Sequence, residues 1–236
     1  MTSSEITFRT SLGQFAAYLR RPQLLAPRGL GAEGNGRVWL HLVLLLIAVS
    51  LAVVLPLLHL WQKVFDLGDP EAFEQVSKSW LVPIVVLIAP PLEELLFRGW
   101  QTGTRGALWL LACTMAGLGG LALMVRPGNE LIAVALIAAA LIAAPSGWLL
   151  LRRKSAPLSW FTRAFPLIYY AMAVLFALVH LANYGQFSLT ALPMVLPQLW
   201  AGLMLGYVRQ RIGLLGSIAA HASSNLIVVG LALAAG

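Results

Sequence analysis

Charged residues are scarce in this chain, and their scarcity indicates which solvent surrounds it. Aspartate, glutamate, lysine and arginine together make up 11% of the 236 residues, against roughly 25% in an average soluble domain. Hydrophobic residues make up 59%, and the mean hydropathy is +0.82. This composition excludes an ordinary water-soluble domain and predicts a protein whose main solvent is the lipid bilayer.

Cysteine is nearly absent, and a secretory signal is not found at the start. The single Cys113 lies in an apolar run and has no second cysteine to pair with, so neither an intrachain disulfide nor a thiol nucleophile is expected. Residues 1–37 lack the apolar core of a signal peptide. We interpret them as a cytoplasmic tail, either amphipathic or flexible, ahead of a transmembrane domain over residues 38–236.

Apolar side chains in this tail recur at helical spacing beside arginines. The residues in question are Phe8, Leu12, Phe15 and Leu19. Such a pattern predicts a helix that lies along the inner face of the membrane. A disordered tail is the alternative, since prolines and glycines follow soon after.

Long apolar runs dominate the rest of the chain. About 20 apolar residues in a helix cross a hydrocarbon core of ~30 Å, whereas barrel strands would alternate in polarity. The sequence therefore predicts an all-α, polytopic membrane helix bundle of about seven transmembrane helices plus the N-terminal interfacial helix. The predicted spans are Val38 to Leu60, Trp80 to Trp100, Ala107 to Val125, Leu131 to Leu151, Phe165 to Leu181, Leu192 to Val208 and Leu214 to Ala235.

The basic residues are distributed unevenly between the two sides of this alternation. Only Lys63, Lys78 and Arg126 fall on one side, which leaves 13 of the 16 lysines and arginines on the other. Cytoplasmic loops carry such an excess, so the N-terminus is predicted to be cytoplasmic. The net charge of +7 then reflects topology and contact with membrane lipids. No basic soluble domain with aromatic residues is present, which excludes a nucleic-acid partner.

Carboxylates interrupt the second predicted span. Glu93, Glu94 and Arg98 lie in the segment Pro-Pro-Leu-Glu-Glu-Leu-Leu-Phe-Arg-Gly. Each charge at the bilayer centre costs on the order of 2.5–3.5 kcal/mol, so such residues face a partner or a water-filled cavity. Glu94 and Arg98 are one turn apart and predict an ion pair. Glu93 is rotated by about 100° from Glu94 and is predicted to point elsewhere, as a base. A purely structural ion pair is the alternative.

Histidines mark two later spans. His180 follows Phe176 by one helical turn, and His221 precedes Asn225 by one turn on the last span. Each cluster alone has a structural alternative, because polar groups also hold membrane helices together at about 0.6 kcal/mol each. Together they supply a carboxylate that can accept a proton from water, imidazoles that can hold a metal or orient that water, and an amide that can donate to an oxyanion. Those are the groups that peptide hydrolysis needs.

In these motifs the chain resembles the CAAX protease and bacteriocin-processing family of intramembrane proteases, which includes the type II CAAX prenyl endopeptidases. The motifs are Glu-Glu-x-x-x-Arg at Glu93, Glu94 and Arg98, Phe-x-x-x-His at Phe176 and His180, and His-x-x-x-Asn at His221 and Asn225. The resemblance implies that Glu93 is the catalytic base, that His180 and His221 position water or metal, and that Asn225 is an oxyanion or ligand partner. Glu94 and Arg98 brace the first motif.

The resemblance covers a core at about residues 81–105 and 165–230, with a two-helix insertion at about 107–151. An even number of inserted spans keeps the direction of the His180 helix, so the motifs can still converge. Their depths differ: Glu93 and His221 are predicted ~10 Å from the cytoplasmic ends of their helices, and His180 ~22 Å along its own. Tilt, or an earlier start of the His180 helix, would close that difference.

The resemblance implies an intramembrane endopeptidase that cuts a membrane-associated or lipidated substrate in a cell membrane, expected to be the bacterial inner membrane. Zinc is the expected metal, with His180, His221 and Asn225 as its ligands if one is bound. Metal-free activation of water by glutamate is the alternative mechanism. A non-enzymatic transporter or docking protein that uses the same polar cluster is the alternative function, although transporters often show internal repeats and this sequence shows no clear one.

Overall fold

The computed structural model describes residues 6–68, 77–154, 156–184 and 188–235, and all regular structure in those ranges is helical. The all-α prediction is confirmed. The α-helices are α1 (Phe8–Arg20), α2 (Asn35–Val49), α3 (Leu55–Phe65), α4 (Lys78–Val82), α5 (Ala89–Arg98), α6 (Arg105–Met124), α7 (Glu130–Leu151), α8 (Ser159–Val179), α9 (Leu196–Arg211) and α10 (Leu214–Ala235).

Seven helices of the described chain are long and apolar enough to cross a membrane, as predicted. Two wider turns join pairs of α-helices into single spans: π-helical residues Ser50–Val54 join α2 to α3, and Pro83–Ile88 join α4 to α5. The predicted limits are correct to within a few residues except at α8. That helix begins at Ser159 and not at Phe165, because helices continue past the hydrocarbon core that hydropathy detects.

The chain forms two compact units. The first contains the described residues up to Glu94 and from Phe165 onward, and the second is Leu95–Ala164. The three motifs, Glu-Glu-x-x-x-Arg, Phe-x-x-x-His and His-x-x-x-Asn, lie in the first unit, except that the arginine of the first motif, Arg98, lies in the second. The predicted two-helix insertion at about residues 107–151 belongs to the second.

In the second unit α6 and α7 pack closely against each other. Trp109 on α6 donates its indole N–H to the carbonyl oxygen of Ala143 at 2.8 Å. A Cβ atom placed on Gly147 would lie 2.1 Å from that indole nitrogen, so only glycine fits there. Small residues that let helices approach are the usual means of association in lipid. The insertion is therefore a helical hairpin with its own packing.

The N-terminal segment of the first unit is helical and packs on the spans. Thr7 caps α1, and its hydroxyl accepts the backbone N–H of Thr10 at 3.1 Å. Phe15 and Tyr18 are buried against the ring of Tyr207 at centroid distances of 5.3 and 4.8 Å. Phe8, on the predicted membrane face, remains 45% exposed. The predicted apolar pattern is therefore divided: Phe8 and Leu12 are exposed, whereas Phe15 packs inward beside Tyr18, which the pattern did not include.

The seam between α8 and α9 fixes the register of the two helices. A Cβ atom on Gly202 would lie 3.1 Å from Ala173, and one on Gly206 would lie 2.8 Å from the Tyr169 ring, so both glycines permit close approach. Small residues permit this close approach between membrane helices. The hydroxyl of Tyr169 also donates to the carbonyl oxygen of Leu203 at 2.6 Å.

Candidate active site

Two adjacent carboxylates on α5 flank one imidazole on α10. Oε1 of Glu94 lies 3.1 Å from Nδ1 of His221, and Oε2 of Glu93 lies 3.7 Å from Nε2 of the same ring. Glu93 and Glu94 therefore face different sides, although both meet the same ring. Rotation by about 100° per residue places the two side chains on either side of the ring, one at each nitrogen.

Glu94 is the buried member of this pair. Its side chain is 0% exposed, and its second oxygen, Oε2, accepts the hydroxyl of Ser217 at 2.5 Å. An ionised carboxylate only accepts hydrogen bonds, so Nδ1 of His221 is the donor to Glu94. In a neutral ring the other nitrogen, Nε2, then carries a lone pair on the side where Glu93 lies. Glu94 thereby fixes the orientation of the imidazole and, when the ring is neutral, its tautomer.

Glu93 is the accessible member. Its side chain is 29% exposed, whereas that of His221 is 7% exposed. A carboxylate in this position can exchange a proton with solvent or with a bound reactant, which the fully buried Glu94 cannot do as readily. The two carboxylates thus have different environments, and different environments are what separate a reacting acid from a structural one.

The second motif meets the third at an aromatic ring. The ring of Phe176 lies 4.8 Å from that of His180 and 5.8 Å from that of His221. Nδ1 of His180 lies 2.7 Å from the carbonyl oxygen of Phe176, and since a carbonyl oxygen only accepts, Nδ1 carries the hydrogen. His180 ends α8 and begins a 3₁₀ turn, His180–Asn183. Its Nε2 therefore bears a lone pair, as a ligand or an acceptor requires.

The side chain of Asn225 is hydrogen-bonded to the backbone of another span. Its Nδ2 donates to the carbonyl oxygen of Val85 at 2.9 Å. Val85 lies in the π-helical turn before α5, where the N–H of Ala89 bonds to Ile84, five residues back. In that register the donor for Val85 would be Pro90, which has no N–H. Asn225 therefore satisfies a carbonyl that the proline leaves without its helical donor.

Two arginines on α5 and α9 are buried. Arg98, one turn after Glu94 on α5, is 2% exposed, and the ion pair between them stays a prediction. Arg209 on α9 is 5% exposed and interacts electrostatically with Glu94. Ser217 connects these elements, because its hydroxyl is shared between Glu94 and the carbonyl oxygen of Leu205 at 3.0 Å, one turn before Arg209.

The sequence singled out neither Arg209 nor Ser217. Arg209 was counted among the basic residues of the cytoplasmic side, and Ser217 is one of several serines in apolar helices. The only signal for Ser217 was its spacing of four residues from His221, which places both on one face of α10. For Arg209 no such signal exists, because its partner is 115 residues away along the chain.

A zinc site here would depend on which donor atoms these side chains offer. The described residues contain no group of three His, Cys, Asp or Glu side chains arranged to hold a metal ion. His221 already meets a carboxylate at each nitrogen, while Asn225 donates Nδ2–H to Val85 and keeps Oδ1, the amide atom that would bind a metal. Catalytic zinc needs about three protein ligands and an open position. The zinc site at His180, His221 and Asn225 therefore stays a prediction, and no step below is routed through a metal.

A family model described as type II CAAX prenyl endopeptidase Rce1-like matches residues 75–227 of the chain, which contain all three motifs. No curated protein and no solved structure matches the chain significantly. The matched range begins ahead of Glu93 and ends just after Asn225, and it includes the inserted hairpin.

Proposed function

The chain belongs to the type II CAAX prenyl endopeptidase Rce1-like family, and on that premise we propose that it is an intramembrane endopeptidase in which Glu93 activates water. The observation that carries the proposal is the pair of carboxylates on opposite nitrogens of His221. One carboxylate is buried and holds the ring at Nδ1, and the other is accessible and faces Nε2. A purely structural ion pair with His221 would require only Glu94 and not Glu93.

A water molecule fits between the two facing acceptors. Oε2 of Glu93 and Nε2 of His221 are 3.7 Å apart, so one water can lie about 2.8 Å from both and donate a hydrogen to each. Such a water presents its oxygen lone pair away from both groups. That direction is where the carbonyl carbon of a substrate peptide bond would have to lie.

The reaction then needs one base that later acts as an acid. Glu93 takes a proton from the water while the water oxygen bonds to the carbonyl carbon of the substrate. The π electrons of the carbonyl group move onto the carbonyl oxygen. The tetrahedral intermediate collapses, the C–N bond breaks, and Glu93 returns the proton to the leaving nitrogen. Glu94 keeps the His221 ring in place throughout, and the remaining N–H of Asn225 is suited to donate to the oxyanion.

The proposed chemistry lies near one membrane face. The excess of basic residues supports the cytoplasmic face, with the N-terminus on the same side, and we infer the inner membrane of a bacterium as the location. A substrate must therefore be held at that face, by its own transmembrane segment or by a lipid chain. Membrane lipids are the partners that seven spans of this length and composition would contact. The substrate class is a membrane-associated peptide or protein, lipidated ones included.

The test is cleavage of a quenched prenylated peptide and of a small transmembrane peptide by the purified protein. Glu93→Gln should lower kcat by about 10²–10⁴-fold, the usual contribution of a general base. Glu33→Gln is the matched control, because Glu33 is an exposed glutamate on a loop of the same unit. Equal activity of the two variants would contradict the role of Glu93.

Cleavage in the presence of a metal chelator distinguishes metal-assisted from metal-free activation of water. We expect cleavage to survive removal of divalent metal, since the described residues offer no three-ligand site. Loss of activity on chelation, with recovery on adding zinc, would restore His180, His221 and Asn225 as ligands. Absence of cleavage for every peptide would favour the rival function, a transporter or docking protein.

A further inference from the structure

One buried polar atom in the described chain has no hydrogen-bond partner, the side-chain oxygen Oε1 of Gln198. Gln198 lies in the first turn of α9, within a span that crosses the membrane. An amide oxygen withdrawn from water without a donor destabilises the folded state, so native proteins contain few of them. A donor supplied from outside the chain would satisfy such an acceptor.

The seam between α8 and α9 shows where this oxygen lies. Gly206 packs on Tyr169 and Gly202 on Ala173, while further along the pair the hydroxyl of Tyr184 donates to the carbonyl oxygen of Met194 at 3.4 Å. The two segments are antiparallel, so each step back along α9 is a step forward along α8.

Gln198 lies midway between the contacts of Gly202 and Met194. The facing level on the other segment is therefore midway between Ala173 and Tyr184, at about residues 177–180. Gln198 is also one turn before Gly202, which places it on the same face of α9, toward α8. His180 is at this level. Its aromatic neighbour Phe176 lies one turn earlier and contacts the His221 ring.

We propose that Oε1 of Gln198 binds substrate, by accepting a backbone N–H of an extended peptide that lies beside His180. This rests on the proposed function and adds a binding residue to it. A peptide brings an N–H at every residue and must leave water to reach a site within the spans, so an acceptor at this place replaces a lost hydrogen bond to water. A lipid acyl chain has no donor to offer.

The chain contains a matched control on the same helix. Gln210 is 1% exposed, and its Oε1 accepts the backbone N–H of Leu25 at 3.1 Å. Methionine has nearly the shape of glutamine without the amide. Gln198→Met removes an unsatisfied acceptor and should leave the melting temperature unchanged or raised, whereas Gln210→Met strands a buried N–H and should lower it.

The hydrogen bond between Gln198 and the substrate backbone is tested with N-methyl peptides. Each backbone N–H of the quenched prenylated peptide is replaced in turn by N-methyl, and KM is measured with the wild type and with Gln198→Met. One position should raise the KM of the wild type about tenfold, the loss of one hydrogen bond. In Gln198→Met the unmodified peptide should already show that rise, and N-methylation at that position should add nothing.

The outcomes separate this inference from the proposed function. Equal losses on N-methylation in both proteins would overturn the role of Gln198 while cleavage itself stands. Destabilisation by Gln198→Met as large as that by Gln210→Met would also overturn it, whatever the peptides do, because the amide would then have a partner in the fold. The proposed function fails separately, if Glu93→Gln retains cleavage.

Discussion

Asn225 on α10 donates its side-chain amide to the backbone carbonyl oxygen of Val85 at 2.9 Å, across two spans of the first unit. The bond exists because the π-helical turn directs the N–H of Ala89 to Ile84, and Pro90 has no N–H for Val85. A residue of the His-x-x-x-Asn motif thereby holds the turn that leads into the two glutamates. Its structural role and its role toward substrate are both open to measurement.

The Asn225 bond is tested by a double-mutant cycle with Pro90. Asn225→Ala should reduce the free energy of unfolding by about 1–3 kcal/mol, because the Val85 carbonyl loses its donor. In a Pro90→Ala background residue 90 has an N–H, so the same substitution should cost less. Unfolding of the purified variants in detergent measures the difference. Full additivity of the two substitutions would contradict the proposed reason for the bond.

The support that Glu94 gives to His221 is tested by kinetics. Glu94→Gln keeps the shape of the side chain but weakens its hold on Nδ1, and we expect kcat to fall by about 10–100-fold. KM should change little, since Glu94 is fully buried and does not reach substrate. Ser217→Ala should lower kcat in the same direction by a smaller factor. A rise in KM at constant kcat would show that Glu94 contacts substrate instead.

The electrostatic pairing of Arg209 with Glu94 predicts a rescue. Arg209→Met leaves a buried carboxylate without that cation and should destabilise the fold by about 3–5 kcal/mol, seen as lost yield of monodisperse protein. Adding Glu94→Gln removes the stranded charge and should restore most of the yield. Arg20→Met is the control, as Arg20 is exposed at the end of α1. A double variant no better than Arg209→Met would refute the pairing.

The predicted orientation is tested by labelling with a membrane-impermeant maleimide in intact cells. Cys113 is replaced by serine, and a single cysteine is introduced at Gly31 or at Pro127. Both positions are exposed: Gly31 precedes α2, and Pro127 lies between α6 and α7. Pro127→Cys should react in intact cells, and Gly31→Cys only after permeabilisation. The reverse pattern would invert the topology and move the proposed site to the other membrane face.

Much of the fold was predictable because lipid imposes a simple rule on the chain. A span must be apolar over about 20 residues, and every stretch that meets this condition is visible in the sequence whatever its neighbours are. All seven spans were predicted in this way. The start of α8 was not, since a helix outside the hydrocarbon core leaves no hydropathy signal.

By itself the sequence determined which residues are chemically unusual for a membrane: Glu93, Glu94, His180, His221 and Asn225. The cost of burying such groups makes them conspicuous in any apolar run. Which of them touch was decided by the tertiary structure alone. Both carboxylates meet His221, Asn225 bonds to Val85, and Arg209 interacts with Glu94, because helix rotation and register set distances between residues more than 100 positions apart. No spacing along one helix contains that information.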